Sequence, residues 1–327
     1  MKINDLIVPD EYFKVANFST RMGCSVACAF CPQKALMSNY KSSERLLTRD
    51  NFIKAVSNIK GSPVKSIGFG SFSEPLENEN FYDFVNMAFD NGYGVDISTT
   101  LKNLSIDGLK KIKDRDIFYG ISIQPIGINN RYGLPDEEAW GNIRKFFELN
   151  PKGNIHLWCV DNNLSDDDKE ILNKRVERYT SIKIEYNKIT SRGGIITNLG
   201  NTPLLKQKSL VCKLFLGPVI LPNGDITICC NDFSLKHISG NIYKQTLNEI
   251  IYGDFINNFI KIMYGEKMGD ILCHSCDYAS IIPNNNNINL YYYILLTNFF
   301  KKYGNKIIPN NGFIRGIARK LFHKLFA

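Results

Sequence analysis

The chain has 327 residues, 44% apolar and 22% charged, with nine cysteines and a formal net charge of 40 − 32 = +8. That is the composition of an ordinary globular protein long enough for about two domains. The charge is uneven: no Asp or Glu follows Asp277, whereas Lys301, Lys302, Lys306, Arg315, Arg319, Lys320 and Lys324 do, so residues 1–277 sum to 33 − 32 = +1. A nucleic-acid-binding surface spread over the fold is therefore excluded. Residues 1–12 carry Asp5, Asp10 and Glu11 and no apolar signal core, which predicts a cytoplasmic protein. An odd number of cysteines in that setting predicts metal or redox ligation and argues against a disulfide framework.

In chain order, Phe13–Phe18 reads as a short strand running into Cys24-Ser25-Val26-Ala27-Cys28-Ala29-Phe30-Cys31, a C-x3-C-x2-C loop. Thr48 caps a predicted helix to about Ile59, with Phe52, Ile53, Val56 and Ile59 on one face. Val64–Phe69, Tyr93–Ser98, Ile117–Ile123, Ile155–Val160 and Ile182–Tyr186 read as further strands. Helices are expected between them over Asn80–Phe89, Ile106–Ile112, Asp136–Leu149 and Asp166–Tyr179, the last with Ile171, Leu172, Val176 and Tyr179 in step. This alternation predicts βα units and a parallel sheet of the α/β class. Right-handed crossovers would curl it into an open, partial (β/α)6 barrel over residues 13–195. Ligands of such sheets sit at the C-terminal ends of the strands, where the cysteine loop falls.

Cys212 is followed by eleven residues, Gly224, four residues and Cys229, and much later by Cys273 and Cys276 as C-x2-C. Pro222-Asn223-Gly224-Asp225 between Val219–Leu221 and Ile226–Ile228 is a hairpin signal, and a helix is expected near Leu247–Met263. Residues 205–280 are thus read as a small α+β domain. Four thiolates suit either a tetrahedral zinc ion or an iron–sulfur cluster. Cys229 and Cys230 are adjacent, so five cysteines compete for four places; the glycine spacing selects Cys229, with Cys230 as its alternative. Cys159, on an apolar strand, reads as a small core residue. Residues 284–327 form a basic tail, in which Leu290–Phe300 is shorter than the about 20 residues a bilayer span needs. Its Phe313–Phe326 stretch reads as an amphipathic helix, lying on anionic lipid as a peripheral contact or packed on the barrel.

The first cysteine loop, following a strand and carrying Phe30 just before its third cysteine, resembles the radical S-adenosylmethionine (radical SAM) superfamily. Taken alone, the same loop suits a zinc site lacking its fourth ligand. Ser71-Phe72-Ser73-Glu74-Pro75-Leu76 is similar to that superfamily's Gly-Gly-Glu-Pro segment, with Ser71 and Ser73 where glycines are usual. Ser98-Thr99-Thr100, the Ser122 strand and Ser191-Arg192-Gly193-Gly194 resemble its later strand ends. The C-terminal cysteines resemble a SPASM domain in its shortened, one-cluster "twitch" form.

The resemblance implies a [4Fe–4S] cluster on Cys24, Cys28 and Cys31, whose fourth iron takes S-adenosylmethionine (SAM). It implies one auxiliary [4Fe–4S] cluster on Cys212, Cys229, Cys273 and Cys276. Phe30, Ser73, Glu74, Ser122 and Arg192 are the implied SAM contacts, with Arg192 and Asp232 as candidates for catalysis. The implied chemistry is cleavage of SAM to a 5′-deoxyadenosyl radical that takes a hydrogen atom from substrate. The expected outcome is oxidation of a sugar or aminocyclitol alcohol, with a flavodoxin or ferredoxin as electron donor and no nucleic acid as partner. A peptide-modifying maturase is the alternative, and a non-catalytic iron–sulfur or zinc protein the alternative of another class.

Overall fold

A computed structural model describes residues 13–26, 28, 30–123, 136–149, 154–161, 164–196, 209–212 and 217–281. Six parallel strands follow one another in sheet order: β1 (Val15–Phe18), β2 (Ser66–Phe69), β3 (Gly94–Thr99), β4 (Ile117–Ser122), β5 (Asn154–Asp161) and β6 (Ile184–Lys188). Helices α1 (Gln33–Asn39) and α2 (Arg49–Ile59) follow β1, then α3 (Phe81–Asp90), α4 (Ile106–Ile112), α5 (Asp136–Leu149) and α6 (Asp166–Val176) follow one strand each. The expected (β/α)6 arrangement is therefore present. The amphipathic tail expected over 284–327 lies outside the described residues. Among the described residues no helix is long and apolar enough to cross a membrane.

Alternation along the strands separates core from lumen. Ala16 and Phe18 of β1 have no exposed surface and meet the helices, with Phe18 and Phe52 5.0 Å and Phe52 and Phe84 4.8 Å between ring centroids. Burying each such ring contributes about 1.5–3 kcal/mol relative to leaving it in water. Asn17 points the other way, and its side-chain amide oxygen Oδ1 would stand 2.3 Å from a Cβ at Gly68 on β2. Two apolar residues assigned to inner faces are instead exposed: Ile53 at 49% and Ile171 at 60%. On α2 the inner place next to Phe52 and Val56 is taken by Ala55.

The C-terminal unit is not separate from this sheet. Strand β8 (Val219–Ile220) pairs in parallel with β1, and the hairpin β8–β9 (Asp225–Thr227) with β10 (Ile238–Asn241) extends one sheet to nine strands. A second sheet joins β7 (Leu210–Cys212) to β11 (Ala279–Ile281) in antiparallel register, Cys212 facing Ala279. The single helix expected near 247–263 is broken at Gly253 into α7 (Leu247–Ile251) and α8 (Asp254–Met263).

Candidate active site

A cavity of about 380 Å³ opens at the C-terminal ends of the barrel strands. Asn17 of β1 and Trp158 of β5 both line it. Strands four places apart in a flat sheet would stand about 19 Å from each other, so the sheet is curled around this space. Every residue of the first expected site reaches it: Cys24, Cys28, Cys31, Phe30, Ser73, Glu74, Ser122 and Arg192.

The cysteine loop is held from outside. Glu77 accepts from the backbone N–H of Ser25 at 2.9 Å and from its hydroxyl, and pairs with Arg21 at 3.2 Å. Lys102 donates to the Ser25 carbonyl at 3.0 Å. Gln33 fastens the third cysteine: its backbone N–H and side-chain amide donate toward the Cys31 sulfur, and its Nε2 also reaches the Phe72 carbonyl at 2.6 Å. Burial is the main force on the three thiols, pushing Cys24 up to about 11 and Cys28 up to about 12. Burial also raises Cys31, against the Arg192 guanidinium, which pulls it down. These thiols need a cationic partner to become thiolates.

Glu74 does a different task from a bare anion. It is 3% exposed and accepts four hydrogen bonds, from Thr99 Oγ1 (2.5 Å), Leu76 N (3.3 Å), and Thr100 N and Oγ1 (both 2.7 Å). Burial pushes its carboxyl up to about 7 although all four donors pull it down. Its carboxylate thus ties the loop after β2 to the end of β3 and leaves the neighbouring backbone to face the cavity. Gly70 allows that close approach: its φ is +122°, and a Cβ there would lie 2.1 Å from the Ser98 carbonyl oxygen.

Arg192 enters from the turn after β6 with a left-handed φ of +50°. Asn231 Oδ1 accepts from its Nη1 at 3.3 Å. The turn is fixed by Ser191, whose N–H donates to Asp277 at 2.6 Å and whose hydroxyl donates to the Ser275 carbonyl at 3.2 Å. Asp232, the other candidate for catalysis, does not line the cavity. Its buried carboxylate caps its own turn, accepting from Ser234 Oγ at 2.7 Å and His237 N at 2.9 Å, and it lies below its ordinary range despite burial because His237 and Ser234 hold it.

The second cysteine group assembles behind this turn. A hydrogen bond with the adjacent Cys230 thiol and burial raise Cys229, and burial raises Cys273; Cys212 adds to both and Cys276 adds to Cys273. The Cys276 sulfur accepts backbone N–H bonds from Tyr278, Gly193 and Ala279, so the Arg192 turn and this group share a boundary. Cys230, whose thiol is hydrogen-bonded to that of Cys229, lines the first cavity, which Cys229 does not. Cys159 is fully buried, as a core residue. Among the described residues no three His, Cys, Asp or Glu side chains are gathered around one point for a single metal ion.

The cofactor implied by the loop also fits the rest of the cavity. Gln33 Oε1 is buried on its wall without a hydrogen-bond partner among the described residues, an acceptor open to a ligand's donor. Sequence reading missed Gln33 because a glutamine two residues beyond a cysteine carries no signal of its own.

Residues 212–277 match the SPASM family, an iron–sulfur cluster-binding domain. A S-adenosyl-L-methionine-dependent 2-deoxy-scyllo-inosamine dehydrogenase of Niallia circulans is 27% identical over 95 residues, 28% of this chain and 37% of the relative. The match thus spans little more than a third of that protein's length. Among solved structures, BtrN in complex with AdoMet and 2-DOIA aligns over 84% of this chain and 94% of its own, with a TM-score of 0.52 and 18% identity. Streptococcus suis SuiB bound to precursor peptide SuiA gives 0.61 at 13% identity over 81% and 70%. The anSMEcpe structure with AdoMet and Cp18Cys peptide gives 0.54 at 14% identity over 94% and 99%. Fold and site define a partial-barrel protein whose strand ends open on a cysteine-lined cavity. Residues 212–277 thus match a SPASM-type iron–sulfur cluster-binding domain, and the fold of the chain is similar to that of these AdoMet-bound and peptide-bound structures.

Proposed function

We propose that this chain removes a hydrogen atom from a hydroxylated small molecule of the aminocyclitol or sugar class and oxidises it at that carbon. The observation that carries this reading is the single cavity joining Cys24, Cys28 and Cys31 to Arg192, with a second cysteine group directly behind the Arg192 turn. Cys24, Cys28 and Cys31 would hold the SAM-binding [4Fe–4S] cluster, and Cys212, Cys229, Cys273 and Cys276 the auxiliary one. When bound, the cluster and SAM together supply a carbon-centred radical strong enough to take hydrogen from an alcohol carbon.

The chain's own residues bind, orient and exclude water. Glu74 fixes the loop whose carbonyls and serine hydroxyls would receive the SAM ammonium, and Gln33 Oε1 offers one further acceptor. Arg192 uses only one donor within the chain that the structure shows, to Asn231, which leaves a planar fork for a carboxylate or a substrate hydroxyl. Phe30, Phe72 and Phe233 close the wall against solvent, the last two packed edge-on at 4.9 Å. The cysteines behind Arg192 would hold a group able to accept the substrate's electron, and a flavodoxin- or ferredoxin-type protein would supply the starting electron. Residues 13–195 would then form the catalytic unit and 205–280 the auxiliary one, joined through β1 and β8.

Anaerobic reconstitution should give about eight iron per chain by the two-cluster count. With SAM, a strong reductant and 2-deoxy-scyllo-inosamine or related aminocyclitols, the expected product is two mass units lighter than its substrate, with 5′-deoxyadenosine released. Full iron loading without 5′-deoxyadenosine would overturn the enzymatic reading. Modification of peptides alone would replace the small-molecule substrate with the maturase alternative.

A further inference from the structure

We propose that Cys230 is a catalytic residue of the cavity, a thiol that donates a hydrogen atom to a substrate carbon radical and so gives the site a second, redox-neutral outcome. This rests on the radical SAM reading of the same cavity and extends it.

Cys230 is exposed, and the surface it exposes lies in the cavity shared with Cys24, Cys28, Cys31 and Arg192. None of Cys212, Cys229, Cys273 and Cys276 lines that space. The Cys229 and Cys230 thiols are hydrogen-bonded to each other; beyond that contact Cys229 accepts the Asn231 N–H at 3.4 Å and feels Cys212, while Cys230 feels Arg192 and opens on the cavity. The segment is braced on both sides of the thiol. Asn231 accepts from Arg192, Asp232 N donates to the Cys229 carbonyl at 3.1 Å, and Phe233 packs on Phe72. An independent feature of the same wall, the unpartnered buried Gln33 Oε1, marks the cavity as built to receive a ligand.

The chemistry follows from bond strengths. Serine and threonine hydroxyls, the Asn17 and Gln33 amides and the Arg192 guanidinium line the cavity, and their O–H and N–H bonds are stronger than the C–H bond of an alcohol carbon. A thiol S–H bond is weaker. The Trp158 indole N–H, also on the wall, is nearly as strong as that C–H bond, so Cys230, the lining thiol outside the C-x3-C-x2-C loop, is the side chain from which transfer to a carbon radical runs most clearly downhill. In that step the S–H bond breaks homolytically, a C–H bond forms, and sulfur is left as a thiyl radical. One proton and one electron restore the thiol, the electron coming from a one-electron reductant of the iron–sulfur or flavin class. The substrate loses no net electrons. Delivery to the face opposite the one that lost hydrogen inverts the carbon.

The test uses anaerobically reconstituted wild type, Cys230→Ala and Cys230→Ser, incubated with SAM and dithionite in D2O without substrate. All three should hold about eight iron per chain and release 5′-deoxyadenosine. Wild type should place one deuterium in that product, and both variants at least tenfold less; serine keeps the polarity of the position, but its O–H is too strong to donate. Iodoacetamide should alkylate Cys230 in the reconstituted wild type, and at least tenfold more slowly with saturating SAM. Loss of about half the iron from both variants would make Cys230 an auxiliary ligand and overturn the proposal. Equal labelling in all three proteins, no label in wild type, or a Cys230 resistant to alkylation without SAM would overturn it too. Absence of 5′-deoxyadenosine from wild type as well would bring down the radical SAM reading itself, and with it this one.

Discussion

The backbone N–H and the hydroxyl of Thr100 both donate to one carboxylate oxygen of Glu74, each at 2.7 Å. With Thr99 and Leu76 on the other oxygen, all four acceptor positions of the carboxylate are filled. Glu74 is therefore a positioning residue. Glu74→Gln replaces one acceptor oxygen with a donor that faces other donors, and should cost about 1–3 kcal/mol locally. SAM should bind roughly tenfold more weakly or worse by equilibrium dialysis, while the iron on the three cysteines is retained.

The same residue carries a pH signature. Its carboxyl is raised by burial from 4.5 to about 7, so between those values the folded protein keeps a proton that the unfolded chain has lost. Stability from this group therefore falls as pH rises through that window. Urea midpoints compared at pH 5 and pH 7.5 should show a wild-type decrease that is reduced in Glu74→Gln. Equal slopes would remove Glu74 as the titrating group.

The two cysteine groups should fail separately. Cys28→Ala should abolish 5′-deoxyadenosine formation and leave about four iron, on the one-cluster count. Cys212→Ala should also leave about four iron but retain cleavage of SAM, since Cys212 stands with Cys229 and Cys273 and away from the cavity. Cleavage surviving in Cys28→Ala would move the SAM site elsewhere.

What the sequence disclosed and what it hid follow from the range of the interactions. The βα alternation and the C-x3-C-x2-C loop are local patterns, and both are found where the periodicity places them. Helix α1 was not expected because Pro32 supplies no side-chain cap and only Leu36 is buried along its length. Ile53 and Ile171 follow a helical period yet face water, because a period fixes a stripe but not its edge. The pairing of β1 with β8 joins residues some two hundred positions apart and leaves no trace in either short strand. Asp232 looked available because its partners, Ser234 and His237, are visible as capping groups only once the turn is seen.

Arg192 separates stability from function. A non-glycine residue at a φ of +50° carries about 1–2 kcal/mol of backbone strain, and it persists because Ser191 and Gly193 are both tied to the C-x2-C loop. Arg192→Gly relieves that strain and removes the guanidinium from the cavity. The melting temperature should hold or rise while substrate turnover drops at least tenfold. Arg192→Lys, which keeps charge but not the planar fork, should recover little of it. A variant that loses stability and activity together would make the residue structural.

Gly217 tests whether the auxiliary hairpin depends on the barrel. It precedes β8, and a Cβ there would stand 2.2 Å from Asn17 Nδ2 and 3.4 Å from the Val15 carbonyl oxygen of β1. Asn17 cannot retreat freely, because its other side meets Gly68 at the distance of a missing side chain. Gly217→Ala should therefore push β8 away from β1 and tilt Asn17 into the cavity it lines. The expected cost is about 1–3 kcal/mol, as for overpacking in a core, together with weaker SAM binding. Gly141→Ala, on α5 with nothing within 4 Å of its added Cβ, should instead stabilise by up to about 1 kcal/mol through helix propensity. If Gly217→Ala melted like wild type with unchanged SAM affinity, the β1–β8 seam would not be what couples the two iron sites.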